Sequence, residues 1–310
     1  MLILNRAEVE ALLDLDSLID ALEPGFVDLS EGRTSVPPRV AAFAPEGFLA
    51  SMPGYVPGVL AAKLVSVYHS NPSKGLPGHH ALMAMFDPDR GTPLVVMDGT
   101  AITAARTACA SAVATRILAR AEVVVLTVIG AGVQGRAHIE AVPRVRRFTE
   151  IRIASRTFAH AEALARESNA VAVRDVETAV RGADVICLCT DSATPVLDRS
   201  WVSPGTHINS VGVSLRGGEL DDATVRASQL VVESRIAFEP PPAGAVELHG
   251  FDPNGAAELG EILRGRRAGR SSPEEITVYK SMGHAVEDAV AARLVYELAL
   301  QKGLGTRIKM

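Results

Sequence analysis

Hydrophobic and polar residues follow a regular strand-and-helix alternation in the second part of the chain. The first apolar run, 123–129, is β-branched almost throughout and has no polar face. Such a run is typical of a strand buried on both faces of a parallel sheet. Further strands are predicted at 151–154, 185–189, 207–211 and 230–232. Helices are predicted between them at 158–167 and 175–181, and the alternation indicates a doubly wound α/β fold.

Residues 1 to about 120 have a different pattern. Apolar positions recur at helical spacing in 14–22, and short strand-like runs lie at 60–65 and 92–99 between Pro- and Gly-rich stretches. The Ala-rich stretch 102–119 predicts a helix, because Ala, Leu and Arg are strong helix formers.

One more long helix is predicted at 284–300. We expect it to pack on the amino-terminal domain, which otherwise lacks a closing element. The predicted organisation is therefore an α/β domain, 121–283, inserted into a second domain made of 1–120 and 284–310.

Composition limits the class of protein. The 310 residues are enough for two domains, and 47% hydrophobic with 22% charged residues is ordinary for a globular protein. A net charge of −5 argues against a nucleic-acid partner. No apolar run approaches the ~20 residues of a membrane span. The first residues lack the pattern of a signal peptide, so we expect a cytoplasmic protein without a membrane partner.

The three cysteines are Cys109, Cys187 and Cys189. The last two alternate along a predicted buried strand, and no second pair is present to complete a metal site. We interpret them as small core residues of a reducing compartment and predict no metal.

A Gly-rich turn follows the first buried strand and precedes a helical segment. It comprises Gly130, Ala131, Gly132, Val133, Gln134 and Gly135. In this context Gly130 permits the tight turn, Gly132 lets the backbone approach a pyrophosphate, and Gly135 lets the helix pack close to the strand. The free N–H groups at the helix start then bind phosphate. The alternative is an ordinary strand-to-helix turn; we favour a dinucleotide site.

The end of the next strand distinguishes NADP from NAD. An NAD site usually carries Asp or Glu there to bind the ribose 2′-hydroxyl. This chain instead has Ser155, Arg156 and Thr157. A guanidinium and two hydroxyls suit a 2′-phosphate, so NADP is predicted over NAD. The alternative for Arg156 is a solvated residue at a helix start.

The chain resembles the ornithine cyclodeaminase/mu-crystallin family over essentially its whole length. The motifs that carry the resemblance occur in the family's order: Pro38-Arg39, Ala62-Lys63-Leu64, Gly75-Leu76-Pro77-Gly78-His79, Met97-Asp98-Gly99, Ala105-Arg106-Thr107-Ala108, Val128-Ile129-Gly130-Ala131-Gly132-Val133-Gln134, Pro204-Gly205-Thr206-His207-Ile208-Asn209, Glu258-Leu259-Gly260-Glu261, Tyr279-Lys280-Ser281-Met282-Gly283 and Ala285-Val286-Glu287-Asp288.

The resemblance implies a Rossmann domain inserted in an α+β substrate-binding and dimerisation domain, and a homodimer. It implies that Arg39 and Arg106 hold a substrate carboxylate. Lys63 lies in an apolar run, where burial would lower its pKa and suit it to proton transfer; a snorkelling surface lysine is the alternative. His79 is a further catalytic candidate, although its neighbour His80 offers the same chemistry.

Other positions follow from the same resemblance. Thr107, Thr190 and Met282 are predicted to bind the cofactor. Cyclodeaminases of the family carry an aspartate two residues after the glycine of a Val-Gly pair, placed to handle the side-chain amine of the substrate. Here that position is Ser214, as in ketimine reductase-like members.

The leading hypothesis is an NADPH-dependent reductase of a small cyclic or open-chain 2-imino carboxylate. One alternative is an ornithine or lysine cyclodeaminase that releases ammonia. The other is a non-catalytic, NADP-bound ligand-binding protein. The segment 235–255 has no assigned role.

Overall fold

A computed structural model describes residues 1–68 and 70–309, except for the side chain of Pro72. The strands are β1 Leu2–Leu4, β2 Val40–Ala44, β3 Gly47–Val56, β4 Val59–Val67, β5 His79–Phe86, β6 Pro93–Asp98, β7 Val125–Ile129, β8 Glu150–Ala154, β9 Val171–Ala172, β10 Val185–Leu188, β11 His207–Ser210, β12 Ser228–Val232, β13 Ala257–Glu258, β14 Ile276–Lys280 and β15 Thr306–Arg307. The α-helices are α1 Arg6–Leu12, α2 Leu15–Ser30, α3 Gly99–Leu118, α4 Val133–Ala141, α5 Phe158–Ser168, α6 Val176–Val180, α7 Asp222–Arg226, α8 Leu259–Leu263 and α9 Ala285–Lys302. No helix in these described ranges is long and apolar enough to span a bilayer.

The chain divides into two compact units. One combines residues 1–106 with 284–310, and the other is 107–283. The first boundary therefore lies inside α3 and not near residue 120, where the sequence pattern changes. The reason is that α3 is one uninterrupted helix, so the change of composition at Val123 marks the start of a sheet and not the boundary of a unit.

The second unit contains an eight-stranded sheet in the order β13-β12-β14-β11-β10-β7-β8-β9. Every neighbouring pair in it is parallel. β7 and β10 are buried at every position, as expected for central strands covered by helices on both faces. This confirms the predicted α/β fold with a Rossmann-like parallel sheet.

The predicted strands of this sheet are present with shifts of one or two residues at their ends. β14 was not predicted as a strand, although it lies between β11 and β12 and is wholly buried. Its sequence, Ile-Thr-Val-Tyr-Lys, ends in a lysine, which is uncommon in a buried strand. Cys109 and Cys187 are buried and Cys189 is half-buried, and all three are free thiols.

The first unit contains a seven-stranded sheet in the order β15-β1-β6-β5-β4-β3-β2. β3, β4 and β5 pair antiparallel, and α9 packs against β3 and β4 as well as against α2. Residues of β4 alternate between buried and more exposed positions, so one face of the sheet is covered while the other is open. The covered face of β4 includes Val59, Ala61, Lys63 and Val65.

The open face of this sheet is apolar. Leu64 of β4 lies directly opposite Leu82 of β5, and they are 44% and 55% exposed. Val40, Leu49 and Leu60 are exposed on the same face, by the strand register. Contiguous exposed apolar surface of this kind is typical of an interaction site.

Candidate functional site

The Gly-rich turn has the geometry that a dinucleotide requires. Gly130 follows β7 with a φ of +111°, and a Cβ there would lie 2.4 Å from the carbonyl oxygen of Cys189. A Cβ on Gly135 would meet the Gly130 carbonyl oxygen. A Cβ on Gly132 would meet nothing within 4 Å. Two glycines are therefore required for packing within the unit, whereas Gly132 leaves open space beside the backbone.

The first turn of α4 offers donors to an anion. Gly132 is the N-cap and has no side chain, so no side chain caps the N–H groups of Val133 and Gln134. In the described part of the chain the side-chain oxygen of Gln134 is also buried without a hydrogen-bond partner. The uncapped N–H groups fit a bound pyrophosphate, whereas the Gln134 oxygen is an acceptor and needs a donor instead. The role of these residues in cofactor binding stays a prediction.

The turn after β8 holds the residues predicted to select the cofactor. Ser155 is half-buried, and Arg156 and Thr157 are exposed before the first residue of α5. Thr157 is the N-cap residue but makes no side-chain capping bond. Nowhere in 1–68 or 70–309 does either hydroxyl or the Arg156 guanidinium find a hydrogen-bond partner, so all three groups are available to a phosphate.

Glu219 organises the carboxyl edge of the same sheet, and the sequence did not single it out. One carboxylate oxygen accepts hydrogen bonds from the N–H and hydroxyl of Thr190, at 3.0 and 2.7 Å. The other accepts from the Ser210 hydroxyl at 2.9 Å and the Gly212 N–H at 2.6 Å. Glu219 is 1% exposed, so this carboxylate ties together the ends of β10 and β11.

Lys280 is a second buried charge at this edge. Its ammonium donates to the Gly212 carbonyl at 2.6 Å and to the Ser210 hydroxyl at 3.2 Å. Its ion-pair partner is Glu247, at 2.7 Å. Glu247 belongs to the segment 235–255, which adds Ala237, Ala245 and Leu248 to the hydrophobic core. That segment therefore covers the core and supplies the counter-charge of Lys280.

The remaining candidates of this unit are Ser214, Met282 and Thr107. Ser214 is half-buried in the loop after β11, and its hydroxyl accepts from the Arg216 N–H at 3.2 Å. Met282 is buried, and its N–H donates to Glu233 at 2.8 Å. Thr107 is buried in α3.

The basic residues of the first unit form a buried ionic cluster. The Lys63 ammonium lies 2.8 Å from one oxygen of Asp288 and 3.0 Å from the other. Arg106 donates through Nε to Asp288 at 2.9 Å and through Nη1 to Glu287 at 2.7 Å. All four side chains are 5% exposed or less. The cluster contains two cations and two anions and is therefore neutral in its charged form.

The two carboxylates come from the first turn of α9. Their motif carried the family resemblance, but they were not among the predicted site residues. Glu287 also completes a capping box with the N-cap residue His284, which fixes the start of α9. Adjacent carboxylates next to an apolar helix are a signal for buried cationic partners, because unpaired charges are not tolerated in a core.

The cluster shifts the pKa values of its members. Burial and the nearby Arg106 cation lower the pKa of Lys63 to about 8, although Asp288 opposes this shift. Burial alone would raise the pKa of the Asp288 carboxyl, but Arg106 and Lys63 outweigh it and hold that pKa below its ordinary value. Lys63 can therefore exchange a proton near neutral pH.

His79 and Arg39 complete the predicted set in this unit. Burial, with the charges of Lys63 and Arg106, lowers the pKa of His79 to about 4, so its imidazole is neutral at physiological pH. Arg39 is half-buried, and its charge further lowers the pKa of Lys63. The structure thus brings Lys63, Arg106, His79 and Arg39 within electrostatic reach of one another.

Comparisons with known proteins identify the family of the chain. The profile of the ornithine cyclodeaminase/mu-crystallin family matches residues 1–303. The ketimine reductase mu-crystallin of Mus musculus is 41% identical over 309 residues, with 95% of this chain and 96% of that protein covered.

Two solved structures share the whole fold. The Δ1-pyrroline-2-carboxylate reductase of Thermococcus litoralis, in complex with NADH and L-proline, is 37% identical with a TM-score of 0.93, and 99% of this chain and 100% of that chain are covered. An archaeal alanine dehydrogenase dimer with bound NAD is 34% identical with a TM-score of 0.89, and 100% and 99% of the chains are covered. The chain belongs to the ornithine cyclodeaminase/mu-crystallin family and is an NAD(P)-dependent oxidoreductase of that family.

Proposed function

We propose that this oxidoreductase reduces a small cyclic or open-chain 2-imino carboxylate to the corresponding amino acid, with NADPH as its cofactor. The observation that carries the proposal is Lys63, a fully buried lysine whose pKa of about 8 suits proton transfer and whose neighbours form a neutral ionic cluster. Pyrroline-2-carboxylate and piperideine-2-carboxylate are substrates of the expected class.

The charge balance of the cluster bears on how the substrate carboxylate binds. Glu287 and Asp288 already neutralise Lys63 and Arg106, and Arg106 uses its Nε and Nη1 groups for them. The substrate carboxylate therefore needs a further positive charge, and the family resemblance assigns this role to Arg39. As the family resemblance implies, Arg106 takes part in orienting the carboxylate without carrying its whole charge.

The proton and the hydride have different sources. When bound, the reduced nicotinamide supplies the hydride that reaches the imine carbon. Lys63, in its ammonium form, donates a proton at the substrate nitrogen, and Asp288 holds the ammonium in place by two contacts of 2.8 and 3.0 Å. His79 is neutral at this pH, so it adds no charge to the site.

NADP as the preferred cofactor is supported by the turn at Ser155, Arg156 and Thr157. It has no carboxylate to repel a 2′-phosphate and offers one guanidinium and two hydroxyls. Ser214 favours imine reduction over cyclodeamination, because a neutral hydroxyl is a poor partner for the ammonium of an ornithine or lysine side chain.

An absorbance assay with NADPH and NADH at equal concentrations tests the proposal. We expect NADPH to be oxidised rapidly with a 2-imino acid, and ornithine to release no ammonia. Ammonia and proline from ornithine without net cofactor consumption would establish cyclodeamination instead. Thermal stabilisation by an imino acid, with no turnover of any substrate in the panel, would establish a ligand-binding protein.

The pH dependence of kcat/KM is expected to follow Lys63. The pKa of Lys63 is lowered from 10.5 to about 8, so the ammonium acid is present below pH 8 and lost above it. The rate should therefore be level on the acidic side and fall about tenfold per pH unit above pH 8. A steady-state profile from pH 6 to 10 measures this.

The Asp288→Asn variant provides the control for this profile. Asp288 raises the pKa of Lys63 through its charge and hydrogen bond, so removing that charge should move the decline to lower pH. Titration of the substrate itself is the same in both proteins and cancels in the comparison. Identical profiles would show that Lys63 is not the group that titrates.

We also propose that two copies of the chain form a homodimer through the open apolar face of the seven-stranded sheet. Replacing both Leu64 and Leu82 with Glu should convert a dimer of twice 32.6 kDa into a monomer in analytical ultracentrifugation. The control is Val124→Lys, since Val124 is equally exposed at 53% in the other unit. A wild-type monomer, or a dimer that survives the double substitution, would contradict the proposal.

A further inference from the structure

We infer that Arg174, which none of the cofactor motifs includes, is a second guanidinium for the adenosine 2′-phosphate and that it works together with Arg156. The inference rests on the proposed preference for NADP. It begins from an aromatic contact: the Arg174 guanidinium carbon lies 4.0 Å from the centre of the Phe158 ring. Phe158 is the first residue of α5, directly after the Ser155-Arg156-Thr157 turn.

The strand register places Arg174 at this turn. β8 and β9 are parallel neighbours, with Ile153 opposite Ala172, and the Val173 N–H donates to the Ile153 carbonyl at 2.8 Å. Ser155 and Arg174 lie two residues further along the two strands, at the same carboxyl edge of the sheet. Neighbouring strands lie about 4.8 Å apart, which is well within the length of an arginine side chain.

The contact with Phe158 restricts the side chain of Arg174 without neutralising it. A guanidinium over an aromatic face keeps its charge and its N–H donors, and the ring holds it in one direction. The described residues supply Arg174 with no ion-pair partner. Such a pre-positioned cation loses little conformational entropy when it binds an anion.

The carboxylate next to Arg174 in the sequence, that of Asp175, is engaged elsewhere. Asp175 is the N-cap of α6 and accepts hydrogen bonds from both the N–H and the hydroxyl of Thr178, each at 2.8 Å. The Arg174 guanidinium thus lies at the first residue of α5, and Arg156 precedes that residue by two positions. Three positive groups at one turn fit a phosphate dianion better than the hydroxyl that NAD presents there.

Binding of adenosine fragments tests the inference without turnover. The Kd values of 2′,5′-ADP and 5′-AMP are measured by calorimetry for the wild type and for Arg174→Ala. We expect Arg174→Ala to raise the Kd of 2′,5′-ADP about tenfold, the size of one charge-assisted contact. The Kd of 5′-AMP should stay unchanged. Arg174→Lys should recover part of the lost affinity, because lysine keeps the positive charge but lacks the planar N–H donors of a guanidinium.

Arg166→Ala is the matched control, since Arg166 is an exposed arginine in the last turn of α5. It should bind both ligands as the wild type does. Equal weakening of both ligands by Arg174→Ala would show an adenine contact and would overturn the inference. Unchanged binding of 2′,5′-ADP would overturn it too while leaving the NADP proposal intact.

Failure of the NADP proposal gives a different result. In that case the wild type itself binds 2′,5′-ADP no more tightly than 5′-AMP, and the inference about Arg174 fails with it. A wild-type preference for 2′,5′-ADP that Arg156→Ala and Arg174→Ala each reduce, and that the double variant nearly abolishes, supports both.

Discussion

Lys63→Met is expected to lower kcat for imine reduction by about 10²- to 10⁴-fold, the usual contribution of a positioned acid. Methionine fills a similar volume but has no proton to give to the substrate nitrogen. It also leaves Asp288 with Arg106 as its only remaining partner in the cluster. Initial rates with saturating NADPH and a 2-imino acid measure the loss.

Two controls separate chemistry from folding. The affinity for NADPH, followed by its fluorescence, should stay near the wild-type value, because Lys63 belongs to the other unit from the Gly-rich turn. Lys63→Arg restores the positive charge beside Asp288 but should remain inactive, since a guanidinium holds its proton at neutral pH. Activity in Lys63→Met within tenfold of the wild type would refute a catalytic role.

Arg106→Met is expected to reduce the free energy of unfolding by about 3–5 kcal/mol, because it leaves two buried carboxylates short of positive charge. The Arg106–Glu287 contact is 2.7 Å long, with side-chain exposures of 5% and 0%. Guanidinium chloride or thermal unfolding measures the effect.

The chain contains a matched exposed pair. Arg6 and Glu10 also lie 2.7 Å apart, but they are 62% and 51% exposed. Arg6→Met should therefore change the stability by less than about 1 kcal/mol. Adding Glu287→Gln to Arg106→Met should recover part of the loss, since it removes one of the two buried negative charges. Equal effects of Arg106→Met and Arg6→Met would contradict the account of the cluster.

The local pattern of hydrophobic residues and glycines was enough to predict most of the parallel sheet. An uninterrupted apolar run such as 123–129 has few alternatives to a buried strand, and the glycines after it are required by backbone contacts within a few residues. β14 was not predicted, and it ends in a lysine, which is uncommon in a buried strand. Lys280 is accommodated there only because Glu247 and the Gly212 carbonyl surround its ammonium.

Some site residues could not be predicted because their partners lie far away along the chain. Lys63 and Arg106 were found through motifs, but their partner Asp288 is 225 residues away from Lys63 along the chain. Glu219 similarly joins the ends of two strands through four hydrogen bonds that no local spacing specifies. Contacts between distant segments depend on the completed fold, so only the structure reveals them.

The most direct test of the central claim follows a labelled hydrogen. The enzyme is incubated with piperideine-2-carboxylate and NADPH that carries deuterium at both C4 positions of the nicotinamide, and the product is analysed by mass spectrometry. Imine reduction predicts pipecolate with one deuterium on its α-carbon and one NADPH oxidised per molecule formed. Pipecolate without deuterium, or no pipecolate while the protein binds NADPH, would contradict the account.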